Sequence, residues 1–271
     1  MASNQIQRVL TGIVLIPTVL GVIWYAPPMV FGALAALLAT LVAREYLDLA
    51  NKYGLAPHDL ATYTFVVLAV IWPVLAIPVP YVPLLMMLVL VLSMRAARDL
   101  AKSMSGAAST VLGVLYTGLP FALLVALRGS PRGQALVLYV LVLTWVGDTA
   151  AYYAGRSMGR HKLAPRVSPG KTWEGAVASL LAAMVLGYFL LERFAPGAPL
   201  WLNLLTAVLV NVAGQIGDLA ESALKRGAGV KDSGSLLPGH GGLLDRVDAL
   251  LFAIPVMWYD VEILLHSYLS P

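Results

Sequence analysis

Residues 200–226 read LWLNLLTAVLVNVAGQIGDLAESALKR, and this stretch decides the fold. A helix crossing the ~30 Å hydrocarbon core of a bilayer needs roughly 20 mostly apolar residues, and residues 200–223 supply them. In lipid every backbone polar group must be paired internally, so only helices and closed barrels span. The alternation of a barrel strand is absent here. Yet the stretch carries Asp218 and Glu221 toward one end, followed by Lys225 and Arg226. Working outward, eight more apolar stretches are predicted as spans, at about 9–26, 29–47, 61–78, 80–94, 107–127, 134–154, 173–191 and 246–267.

Composition agrees. Of 271 residues, 59% are hydrophobic and 12% charged, against the ~45–50% and ~25% of soluble domains. Mean hydropathy is +0.82, which excludes a soluble single domain and intrinsic disorder. The absence of cysteine excludes disulfide scaffolds, thiolate zinc sites, iron–sulfur clusters and cysteine nucleophiles. The expected fold is all-α: a polytopic membrane protein of about nine transmembrane helices with short loops. Residues 1–130 contribute about five helices. Residues 131–271 contribute about four and carry the site, within one membrane-embedded unit. The first segment follows Arg8 as a signal peptide would. It reaches Pro27-Pro28 without a small-x-small cleavage site, so it is expected to stay.

Lys and Arg collect in cytoplasmic loops. With nine spans, fifteen of the 18 basic residues fall on the side of the N-terminus, and only Arg128, Arg132 and Arg193 on the other. The N-terminus is therefore expected in the cytoplasm and the C-terminus outside.

The carboxylates divide into two sets. Glu45, Asp48, Asp59, Asp99, Glu192, Asp260 and Glu262 sit near helix ends or in loops, where solvation or interfacial pairing accounts for them. Asp148, Asp218, Glu221, Asp245 and Asp248 lie inside or against apolar segments. Carboxylates in that position are costly, usually face the bundle interior, and mark function. Helical spacing puts Asp218, Glu221 or Ser222, and Lys225 on one face, and Asp245 and Asp248 form an i,i+3 pair. Asp218 lies 18 residues past the outer start of its segment, roughly 27 Å across and thus at headgroup level. Asp148, 14 residues into its own, is deeper, at about 21 Å. Converging carboxylates repel unless a cation joins them; salt bridges to Lys225, Arg226 and Arg246 are the alternative. On the cation reading, Asp245→Asn relieves repulsion and leaves the protein folded.

Residues 227–243, GAGVKDSGSLLPGHGGL, hold six glycines. Glycine lets backbone N–H groups approach a ligand, and successive N–H groups form an anion nest. With Lys225, Arg226 and Lys231 nearby, the chemistry suggested is phosphate binding beside Mg²⁺, which takes one or two carboxylates plus phosphate oxygens. A flexible surface loop is the plainer alternative. His240 is a candidate phosphate contact or acid–base group, but no second His makes it a metal site.

A second polar run, Ser168-Pro169-Gly170-Lys171-Thr172-Trp173-Glu174-Gly175, looks at first like a P-loop. That motif needs glycine at position 165, which is Pro, and no strand is expected before it. A basic cytoplasmic loop holding lipid phosphates fits better, and a plain positive-inside loop is the alternative. Gly155-xxx-Gly159 is discounted as a packing motif, because it is expected to lie largely in a loop.

The run Ser222-x2-Lys225-Arg226-x4-Lys231-Asp232-x-Gly234-x2-Leu237-Pro238-x-His240-Gly241-Gly242-Leu243-x-Asp245-Arg246-Val247-Asp248 resembles the signature of the phosphatidate cytidylyltransferases, or CDP-diacylglycerol synthases, at every fixed position over 27 residues. Trp145-Val146-Gly147-Asp148, with Ser168-Pro169-x-Lys171-Thr172-x-Glu174-Gly175, is similar to the family's other polar region. The resemblance implies an inner (plasma) membrane enzyme that joins CTP to phosphatidic acid and releases pyrophosphate, with a site facing the cytoplasm. It also implies Mg²⁺, held by Asp218 and Asp245, and allows K⁺ as a second ion. A homodimer among membrane lipids is expected, with no nucleic-acid partner.

Phosphoryl transfer needs positioning and charge neutralisation more than covalent help. The expected catalytic residues are Asp148, Lys171, Glu174, Lys225, Arg226 and Asp248. The expected substrate contacts are Ser168, Thr172, Ser222, Lys231, Asp232, His240, Gly241, Gly242 and Arg246. Asp148 and Glu174 are candidates for a second cation or for orienting the basic residues. Two rivals remain. A cation-coupled transporter would show broken helices in corresponding halves, which are not seen. A CTP-dependent lipid kinase would release CDP.

Overall fold

The computed structural model describes residues 13, 16–75, 81–96, 100–236 and 241–269. It is built almost wholly of helices: α1 (Ile16–Tyr25), α2 (Pro28–Lys52), α3 (Asp59–Leu75), α4 (Tyr81–Ala96), α5 (Leu100–Gly113), α6 (Leu119–Gly129), α7 (Gly133–Met158), α8 (Trp173–Phe194), α9 (Leu200–Gly227), α10 (Leu244–Asp260) and α11 (His266–Leu269). A π-helical turn, Val114–Gly118, joins α5 to α6, and another, Val261–Leu265, joins α10 to α11. The predicted spans fall on helix as far as they are described, apart from Ala26 at the end of the first. Among the described residues, five helices are long and apolar enough to cross a membrane: Pro28–Lys52, Ser103–Gly129, Gly133–Met158, Trp173–Phe194 and Leu200–Gly227. The others are shorter, and the predicted count of nine agrees only roughly.

α8 shows why this is a lipid-embedded helix. Val177, Leu181, Val185 and Phe189 recur every fourth residue and are all exposed. The opposite stripe of Gly175, Ser179, Ala183, Gly187 and Leu191 is buried. An exposed stripe of large apolar groups suits hydrocarbon, not water. Small residues on the buried stripe allow close approach of neighbouring helices. A Cβ added at Gly187 would lie 2.7 Å from the Ala207 Cβ of α9.

The chain divides into two compact units, Met1–Val125 with Leu224–Arg246, and Ala126–Ala223 with Val247–Pro271. In the first, α2 packs on α3 and on the π turn. Tyr46, Leu47 and Ala50 form a core joined by Tyr63 and Tyr116, with Tyr46 and Tyr116 edge to face at 6.1 Å. In the second unit, α7 and α8 form the main packing, and Asn211 of α9 donates to Ser179 of α8 at 3.0 Å.

Two local expectations are corrected. The polar run around Lys171 is not plain loop. Lys162–Ala164 (β1) and Ser168–Thr172 (β2) form an antiparallel hairpin with Lys162 opposite Thr172, so a strand does precede it. α7 also continues to Met158, which puts Gly155 inside a helix. A Cβ there would lie 3.1 Å from Thr172 Oγ1. The discounted glycine is therefore a packing position, where the hairpin seats on α7.

Candidate active site

In the second unit a cavity of about 600 Å³ is lined by Asp148, Arg156, Ser168, Lys171, Thr172, Gln215 and Asp218, among others. That volume is in the range of small-molecule sites. The hairpin delivers its key cation. Thr172 ends β2 and caps α8, its hydroxyl accepting from the Gly175 N–H at 3.2 Å, as Thr at an N-cap does. Glu174, in the first turn of α8, holds the other strand's approach. It accepts from the His161 N–H at 3.2 Å and meets His161 Nδ1 at 2.7 Å. Between these two anchors Lys171 reaches Asp218, Nζ to Oδ2 2.6 Å. The Ser222 hydroxyl lies 3.5 Å from the other Asp218 oxygen. Asp148 from α7 opens into the same cavity, where its charge and that of Asp218 act on each other.

In the first unit a second cluster forms at the start of α10. Asp245 pairs with Lys225 through Oδ1. Its Oδ2 accepts the Ser233 N–H, the Ser233 hydroxyl and the Gly242 N–H, each at 3.0 Å. Gly241 has φ +81°, a left-handed conformation that glycine adopts without strain. That turn aims the Gly242 N–H at Asp245.

The structure thus brings Asp148, Ser168, Lys171, Thr172, Asp218 and Ser222 together, and separately Lys225, Asp245, Gly241 and Gly242. It gives other predicted residues local partners. Glu174 is tied to His161, which carried no signal in the sequence. Arg226 donates to the Val230 carbonyl at 3.1 Å. Asp248 accepts the Ala249 N–H at 2.7 Å. Lys231 and Asp232 are exposed in the glycine loop, and Arg246 is exposed in the first turn of α10. His240 lies outside the described residues. Sequence reasoning missed Arg156, a cavity-lining guanidinium that donates to Tyr152 at 2.9 Å; only its basic charge was legible. It also misplaced Glu45 and Asp260, expected at solvated helix ends. Both are buried, at 2% and 4% exposure. Asp260 is held by Thr206, and Glu45 by the loop before α10.

The donor chemistry of the cavity lining, the carboxylates of Asp148 and Asp218 with the hydroxyls of Ser168 and Thr172, suits a hard cation. Asp245 is more fully engaged, its oxygens accepting from Lys225, Ser233 and Gly242 and its side chain 10% exposed against 33% for Asp218. It serves as an ionic anchor unless Lys225 moves away. Among the described residues, no group of three or more His, Cys, Asp or Glu side chains is placed to hold a metal ion by itself. Mg²⁺ that keeps phosphate oxygens and waters needs no such group.

Comparison with known proteins bears on the family. The chain is similar to the phosphatidate cytidylyltransferase of Staphylococcus haemolyticus, 41% identical over 155 residues, which cover 57% of this chain and 59% of the relative. It is likewise similar to that of Brucella suis, 44% identical over 156 residues and 57% of each chain. The match spans less than two thirds of the length of either relative. A broader profile, described as the cytidylyltransferase family, matches residues 6–264 and so takes in both polar clusters and the helices that carry them. With nearly the whole chain matched, this protein belongs to the cytidylyltransferase family.

Proposed function

We propose that this chain transfers a cytidylyl group from CTP to phosphatidic acid, giving CDP-diacylglycerol and pyrophosphate, as a step of phospholipid biosynthesis. The observation that carries the reading is the cavity in which Lys171, steered by Asp218, stands beside Asp148 and Arg156. It combines phosphate-binding cations with carboxylates in a membrane-embedded unit, as a lipid phosphate and a nucleotide both require. The names of the relatives support the substrates. An oxygen of the lipid phosphate attacks the α-phosphorus of CTP. The new P–O bond forms as the bond to the β-phosphate oxygen breaks, and pyrophosphate leaves with the electron pair. Lipid phosphate is already an anion at neutral pH, so no general base is needed.

Lys171 and Arg156 would hold phosphate oxygens by charge-assisted hydrogen bonds, with Ser168 and Thr172 lining the same cavity. Lys225 is held in place by Asp245, and Arg226, Lys231 and Arg246 add positive charge around the glycine loop. Mg²⁺ is the proposed cofactor, with Asp218 and Asp245 the carboxylates that the family resemblance assigns to it, and K⁺ a second ion. When bound, the metal neutralises charge on the phosphates and the leaving group. The protein is proposed to act as a homodimer in the inner membrane with the site facing the cytoplasm.

Two experiments test this. Purified protein given radiolabelled CTP, phosphatidate and Mg²⁺ is expected to yield lipid-soluble cytidine and pyrophosphate in equal amounts, with activity lost to a chelator and restored by Mg²⁺. Release of CDP with a lipid-alcohol acceptor would support a kinase instead. For orientation, the chain has no native cysteine, so single cysteines label without background. A cysteine replacing Ser235 is expected to react only from the cytoplasm, and one replacing Ser267 only from outside. Labelling of both from one side would refute the proposed topology.

A further inference from the structure

Glu45 lies in α2, a spanning helix, yet its carboxylate ends in the loop before α10. Oε1 accepts the Leu243 N–H at 2.9 Å, and Oε2 accepts the Leu244 N–H at 2.7 Å and the Ser233 hydroxyl at 2.9 Å. Two of the orphan N–H groups at the start of α10 are thereby satisfied, and the negative charge sits where the helix dipole favours it. Two glycines of the loop make room. A Cβ at Gly234 would lie 2.5 Å from Oε1, and one at Gly242 2.6 Å from Oε2. At Gly242 such a Cβ would lie nearer still to the Ser233 hydroxyl, so the two glycines are small for the sake of the Glu45–Ser233 pair.

The Ser233 hydroxyl stands between two carboxylates, 2.9 Å from Glu45 Oε2 and 3.0 Å from Asp245 Oδ2. It has one proton and can donate to only one of them at a time. Glu45 therefore acts on Asp245 without touching it, both by fixing Ser233 and by competing for its proton. Building on the cytidylyl-transfer reading, we infer that Glu45 is a positioning residue for that reaction, a clasp from α2 that sets Ser233 and the start of α10 so that Asp245 and Lys225 stand in register.

The test uses the full chain in detergent, with Glu45→Gln, Ser233→Ala and the double variant. Glu45→Gln keeps size and one acceptor oxygen but turns an NH₂ group toward a donor. It is expected to lower kcat at least tenfold per folded molecule, with KM for CTP changed less than threefold. Amide exchange of Ser233, Leu243 and Leu244 is expected to quicken about tenfold, while that of the Lys162–Thr172 hairpin stays unchanged. In a Ser233→Ala background the further loss of kcat from Glu45→Gln is expected to shrink, because the link through Ser233 is already cut and only the contacts to the Leu243 and Leu244 N–H groups remain. Wild-type kcat in Glu45→Gln would overturn the proposal, as would an undiminished effect in the Ser233→Ala background. Unchanged exchange at Leu243 and Leu244 would overturn it even if the wild-type protein proved to have another activity, so that exchange judges the clasp and the wild-type assay judges the reaction.

Discussion

Asp218→Asn is expected to lower Mg²⁺-dependent turnover by about 10²–10³-fold, the usual loss when a preorganised electrostatic contact to a reacting phosphate is removed. The fold should hardly notice. The Lys171–Asp218 pair is partly open, with side chains 26% and 33% exposed. Pairs of that kind contribute only about 0–1 kcal/mol to stability. Asparagine keeps the size and one acceptor oxygen, so Lys171 retains a hydrogen bond but loses the charge that steers it. Thermal unfolding in detergent should stay within a few degrees of wild type while turnover collapses. Turnover within threefold of wild type would show that neither Lys171 nor a metal depends on the Asp218 charge.

Asp245→Asn should behave differently, and here the structure reverses what the sequence suggests. Read from spacing alone, neutralising Asp245 relieves repulsion among carboxylates and leaves the protein folded. In the structure, the Lys225 and Asp245 side chains are only 11% and 10% exposed, and three further donors converge on Oδ2. Removing one partner of such a buried pair typically costs about 3–5 kcal/mol, because the remaining charge is left uncompensated. An asparagine must also present one NH₂ group to a ring of donors. Asp245→Asn is therefore expected to unfold at a much lower temperature than Asp218→Asn, and to be inactive. Adding Lys225→Met removes the stranded charge and should recover most of the lost stability, though not activity. Unfolding curves and turnover for the two single variants and the double variant form the cycle that measures this coupling. If Asp245→Asn unfolds with wild-type stability, the pair is not a structural anchor, and Asp245 is free to serve as a metal ligand alone.

The membrane-embedded helical fold was legible in the sequence because spanning lipid leaves little choice. Apolar runs of spanning length must become helices wherever backbone polar groups have no water to turn to, so the helical segments were placed from composition and length, although the count of nine spans agrees only roughly. The intramembrane carboxylates were legible for the same reason, since a charge in an apolar run is costly and needs a functional or structural reason to persist. Asp218 and Asp148 announced themselves in this way. Partnership was not legible, because it depends on which distant residues the fold brings within about 3 Å. Glu45 looked like a solvated helix-end carboxylate and proves to be a buried acceptor for a loop some 190 positions away. Gly155 and the hairpin around Lys171 were hidden because their meaning lies in close packing between elements, which no local pattern encodes. The glycines of residues 227–243 showed that backbone must come close to something. Only the tertiary structure decided that for Gly234 this something is the Glu45 carboxylate and for Gly242 the Ser233 hydroxyl that donates to it, because one sequence pattern of small residues serves an inner anion as well as a bound phosphate.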